Sequence, residues 1–73
     1  MRLVGGVGSL SLRELAVLEG YAQGLTVEEI GAELGITKAT VKTYGNRLRR
    51  KLGASNKAEA VAIWLGHQGK RPA

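Results

Sequence analysis

The residues with most chemistry to offer in this chain of 73 residues are cations, and they are bunched. The stretch "TVKTYGNRLRRKL", residues 40–52, carries Lys42, Arg47, Arg49, Arg50 and Lys51 and no acid. Widened to residues 34–58, the segment holds seven Lys or Arg and still no Asp or Glu. The six acids, Glu14, Glu19, Glu28, Glu29, Glu33 and Glu59, all lie outside it. A surface helix that needs only solubility gains from opposite charges four residues apart. Exclusion of one sign instead points to a polyanionic partner, and the net charge of +5 agrees.

The same inventory argues against catalysis. With no Cys, no Asp and His67 as the single histidine, the chain offers no disulfide, no thiolate metal site and no paired acid and base. Gly5, Gly6 and Gly8 precede a helical pattern but follow no strand, so they do not read as a phosphate-cradling loop. No enzyme activity, cofactor or metal is expected. Nothing approaches a membrane span, and "MRLVGGVGSL" is too short and glycine-broken for a signal peptide. The expected location is the cytoplasm, on the nucleoid.

Capping signals divide the chain into the elements that must position these cations. Ser11 with Glu14, Thr26 with Glu29 and Asn56 with Glu59 each have capping-box spacing. Thr37 starts a further helix without the reciprocal acid. Gly24, Gly35 and Gly53 suit the left-handed residue that ends a helix. The spacing predicts an all-α fold, a four-helix bundle with helices at about 11–23, 27–34, 38–52 and 57–66, and no sheet. Residues 1–9 read as a flexible lead-in, 10–66 as one domain and 67–73 as a basic tail. Only Gly35, Ile36 and Thr37 join the second helix to the third, as in a helix-turn-helix.

On a helical wheel Val41, Gly45, Leu48 and Leu52 share the buried side of the third helix, with Tyr44 at its border. The opposite side carries Ala39, Lys42, Thr43, Asn46, Arg47 and Arg50, flanked by Lys38, Arg49 and Lys51. Hydrogen-bonding side chains among cations suit a DNA groove, where a carboxylate would face phosphates. A plain solvated face would tolerate glutamates equally well. Membrane-surface binding would need a free apolar face, and this helix spends its apolar stripe on the core.

The motifs "LSLRELAVL", "EEIGAELGITKATVK" and "KLGASNKAEAV" resemble the LuxR-type helix-turn-helix domain, also seen in GerE and the NarL/FixJ response regulators. The resemblance runs from about residue 10 to 65. It implies a double-stranded DNA-binding transcriptional regulator of bacterial or phage origin, with the third helix in the major groove and the fourth helix forming a homodimer. By position, Lys42, Thr43 and Asn46 would face base edges. Thr26, Val27, Lys38, Thr40, Arg47, Arg50 and Lys51 would face the DNA backbone. The side-chain chemistry agrees: Lys42 suits guanine acceptors, Asn46 can pair with adenine, and the arginines suit phosphates. The chain departs from the family pattern at Tyr44, where His is usual, at Gly45, where a larger residue is usual, at Arg47, a frequent Asn position, and at Lys57, where Arg is common.

Two further surfaces stand out. Ala58, Val61, Ala62 and Leu65 on the fourth helix combine small residues with a leucine and read as the dimer interface, while Trp64 and Ala60 read as core. Leu12, Leu15 and Ala16 on the first helix lie away from its inward face, Val17, Leu18, Tyr21 and Ala22. They offer contact to RNA polymerase or another regulator, or packing against Leu3 and Val4. The rival reading is a protein-interaction module that keeps the scaffold and inhibits a regulator or RNA polymerase through the first and fourth helices. The acid-free third helix favours DNA. Only about nine residues precede the domain, whereas most members of the family carry a receiver or sensing domain there. That suggests an autonomous GerE-like regulator or an excised piece of a longer chain.

Overall fold

Each helix begins where a side chain can satisfy backbone donors that lack an intrahelical partner. The computed structural model describes residues 7–69 as a 3-10 turn, Val7–Ser9, followed by α1 Leu12–Ala22, α2 Val27–Leu34, α3 Lys38–Leu52 and α4 Lys57–Gly69. No strand occurs among the described residues. Ser11 and Glu14 close one reciprocal capping box, and Thr26 and Glu29 close a second. Thr37 caps α3 by accepting the Thr40 N–H at 3.1 Å.

The fourth start differs from the expected capping box. Asn56 Oδ1 accepts the Glu59 N–H at 2.8 Å, but the Glu59 carboxylate accepts from the Ser55 N–H rather than from Asn56 itself. Gly35 and Gly53 end α2 and α3 with φ of 71°, a conformation that would crowd a Cβ. Gly24 lies one residue beyond the α1 cap, Gln23, with φ of 82°.

The core is a single cluster drawn from all four helices: Val17 and Leu18 of α1, Ile30 of α2, Val41, Leu48 and Leu52 of α3, and Ala60 and Trp64 of α4. Burial of each large aliphatic side chain contributes about 1.5–3 kcal/mol. α3 packs against α1, α2, α4 and the 3-10 turn, so the helix carrying the cations is also the centre of the fold. Trp64 is 9% exposed, as expected of a core residue, and its ring stacks on His67 with centroids 6.3 Å apart.

Two boundaries fall elsewhere than the sequence suggests. α4 runs to Gly69, so residues 67–69 belong to a helix rather than to a tail. At the other end Val7–Ser9 forms a 3-10 turn, closed by the Leu10 N–H on the Val7 carbonyl at 3.2 Å. The remaining lead-in, 1–6, and tail, 70–73, lie outside the described residues, as does the expected packing of Leu3 and Val4. No helix among the described residues is long and apolar enough to cross a membrane.

Candidate nucleic-acid interface

The α2–α3 connection fixes how far α3 projects from the body. Ile36 N–H donates to the Gly31 carbonyl at 3.0 Å across the left-handed Gly35, which reverses the chain within one turn. A Cβ on Gly31 would stand 2.7 Å from the Ile36 carbonyl oxygen, so α2 and the turn meet backbone to backbone. Arg13 tightens the corner from α1 by donating to the Leu34 carbonyl at 3.1 Å. That role was not legible in the sequence beyond the presence of a cation in the opening motif.

With Val41, Gly45, Leu48 and Leu52 buried, α3 turns Lys38, Ala39, Lys42, Thr43, Asn46, Arg47 and Arg50 outward, and all seven are exposed. Lys42, Arg47 and Arg50 have no ion pair or hydrogen bond to protein among the described residues. Thr43 Oγ1 donates to the Ala39 carbonyl at 3.1 Å, which pins its rotamer on that face. Thr40 is half-buried, its hydroxyl 2.9 Å from that of Thr37. Thr26 is exposed at the start of α2, with Val27 half-buried beside it.

Two of the expected site residues on the outer face, Lys38 and Asn46, are engaged by neighbouring side chains. Lys38 Nζ lies 3.2 Å from Glu28 Oε2, both side chains more than half exposed. Glu28's own backbone N–H, and next the Lys38 ammonium, hold its carboxyl below the usual value. Exposed pairs of this kind contribute little to stability, so Lys38 can exchange Glu28 for another anion at small cost. Arg49 donates to Asn46 Oδ1. A guanidinium has only donors, so the Asn46 amide turns its oxygen toward Arg49 and keeps its –NH2 free.

Lys51 is placed quite differently from the other cations. Its ammonium is 2.8 Å from Glu14 Oε1 and 3.3 Å from the Ser9 carbonyl, toward α1 and the 3-10 turn. The Glu14 side chain is 4% exposed and that of Lys51 40%. Burial pushes the Glu14 carboxyl up, but Lys51 and the Ser11 N–H and hydroxyl outweigh it, and the group sits below its usual value. Lys51 thus anchors α3 to the body in this structure.

Tyr21 of α1 is a second feature the sequence did not reveal. Its hydroxyl lies 2.3 Å from where a Gly45 Cβ would stand, which explains the glycine inside α3. Lys57 Nζ sits 5.1 Å from the centroid of the same ring. Tyr21, Lys42, Gly45, Asn46, Arg49 and Lys57 together line a crevice of about 270 Å³ along the flank of α3.

On α4, Ala58 and Ala62 are exposed and Leu65 is 53% exposed, whereas Val61 is half-buried and packs against the core. On α1, Leu12 is 86% exposed. Leu15 and Ala16 are half-buried, and Leu15 packs against the core.

Comparison with known proteins places this arrangement. The chain matches the GerE family, bacterial regulatory proteins of the luxR family, over residues 8–64. It is 49% identical over 53 residues to the probable transcriptional regulatory protein NarL of Mycobacterium tuberculosis, covering 73% of this chain and 24% of that protein. It is 48% identical over 50 residues to the transcriptional regulatory protein UhpA of Escherichia coli, covering 68% of this chain and 26% of that protein. It is 36% identical over 61 residues to the probable HTH-type transcriptional regulator GfsR of Streptomyces halstedii, covering 84% of this chain and 25% of that protein. The chain therefore spans about a quarter of the length of these relatives. The all-helical fold, the tight α2–α3 turn and this match agree, and the chain belongs to the luxR family of bacterial regulatory proteins.

Proposed function

We propose that the protein is a sequence-specific transcriptional regulator that inserts α3 into the major groove of double-stranded DNA. The observation that carries this is the acid-free outer face of α3, on which Lys42, Arg47 and Arg50 lack any protein partner among the described residues. Phosphates neutralise such cations and release condensed counterions, a gain no solvated face obtains. Lys42, Thr43 and Asn46 then face base edges. Arg47 and Arg50, with Lys38, Thr40, Thr26 and Val27 around the turn, lie along the backbone. Lys51, expected along the backbone as well, is paired with Glu14 in this structure, and we assign it first the positioning of α3. The family to which the chain belongs, with its transcriptional regulators, supports the reading. The role is non-enzymatic and places the protein with the nucleoid in the cytoplasm.

Homodimerisation through α4 belongs to the same proposal. Ala58, Ala62 and Leu65 present an exposed face on which a second α4 can approach closely, with Val61 bordering it. Two-fold-related half-sites in the bound DNA are the signature that tests it. For contact with RNA polymerase or another regulator, Leu12 offers the most exposed apolar group, with Leu15 and Ala16 half-buried beside it.

Two substitutions separate reading from positioning. Thr43→Ala is expected to relax preference at one base pair, with an effect of about 1–3 kcal/mol at most. Arg50→Ala is expected to weaken all duplexes alike and to lower the slope of log affinity against log salt by about one. Titrations of labelled duplexes at several salt concentrations check both. A change of base preference with an unchanged slope for Arg50→Ala would contradict the assigned roles.

A further inference from the structure

The crevice between α1, α3 and α4 has the chemistry of an oxyanion site, and nothing in the placement of α3 alone requires it. Its wall is Tyr21, whose hydroxyl has no hydrogen-bond partner in the protein among the described residues. Lys42, Arg49 and Lys57 supply three positive charges from two helices, and no acid lines it. Gly45 leaves the phenol oxygen room against α3, since any Cβ there would collide with it. Burial raises the Tyr21 phenol above its usual value, only partly offset by the nearby Arg49 charge. At neutral pH the hydroxyl is therefore a protonated donor. The hydroxyl is half-buried, without a protein partner among the described residues, beside three cationic side chains.

We propose that this crevice seats one phosphodiester group of the bound duplex, with the Tyr21 hydroxyl, Arg49 and Lys57 donating to its oxygens. The inference rests on the reading of α3 as the groove helix and extends the contact surface to α1 and the start of α4. An Arg49 side chain that turns from Asn46 to this phosphate frees the amide oxygen it meets in this structure, leaving that amide both donor and acceptor for a base edge.

Tyr21→Phe isolates the hydroxyl while preserving the ring under Lys57. Binding of a labelled duplex of mixed sequence is expected to weaken on the order of threefold to tenfold, the loss of one hydrogen bond. The salt slope should stay constant, because a neutral donor displaces no counterion. Folding stability should not fall, because the hydroxyl lost had no protein partner. Lys57→Gln, at an exposed position, is expected to weaken binding and flatten the slope by about one. If wild type binds the duplex and both variants bind as tightly as wild type, the phosphate seat is overturned while the groove reading survives. If wild type itself does not bind duplex DNA, both are overturned.

Discussion

Lys51→Met should destabilise the domain by about 1–3 kcal/mol at neutral pH, more than Glu14→Gln. Removing one partner of a fully buried pair costs about 3–5 kcal/mol. This pair is buried at one end only, with Glu14 at 4% exposed and Lys51 at 40%, so solvent screening reduces the figure. The asymmetry sets the order of the two variants. Methionine strands a buried carboxylate, whereas glutamine strands an ammonium that water already reaches and still accepts from Ser11. The pH dependence follows from the lowered Glu14 value. A carboxyl depressed in the folded state stabilises above its unfolded pKa and loses that contribution as pH falls through the folded value. The penalty of Lys51→Met should therefore shrink below the usual carboxylate range, where Glu14 is protonated in both proteins. Denaturant unfolding across pH checks this. Were Lys51 instead a phosphate contact, the substitution would spare stability and flatten the salt dependence of DNA binding.

Gly45→Ala and Tyr21→Phe are expected to couple by about 1–3 kcal/mol, the usual scale of overpacking. In the wild-type background the new methyl meets the phenol oxygen at 2.3 Å and the ring must move. In the Phe background the nearest ring atom is at 3.4 Å, close to ordinary contact. There alanine's helix propensity, worth about 1 kcal/mol over glycine, should show through as stabilisation. A double-mutant cycle by chemical denaturation measures the coupling, and additive effects would show that Tyr21 and Gly45 do not constrain each other.

The helices were legible because their signals are local. Ser11, Thr26 and Thr37 cap the groups a few residues downstream, and the outward set on α3 follows from a 100° period that tertiary packing leaves intact. The features missed are long-range or depend on side-chain reach. Glu14 and Lys51 are 37 residues apart, and no spacing rule brings them together. Tyr21 reads as one more inward residue of α1 until Gly45 is seen beneath its hydroxyl. On the wheel Arg49 is a flank residue, and the wheel does not show it turning to Asn46. α4 outran its expected end at residue 66, and the helix continues to Gly69. Even so, the face proposed to meet DNA was visible early, since charge exclusion is a property of composition and needs no coordinates.

The central claim is that α3 reads duplex DNA, and selection from random duplexes, with the recovered sequences rebound at two salt concentrations, tests it most directly. The proposed function predicts a recurrent sequence in two-fold-related half-sites, bound with steep salt dependence as Arg47 and Arg50 displace counterions. Recovery of no preferred sequence, with only weak and sequence-indifferent binding, would contradict it.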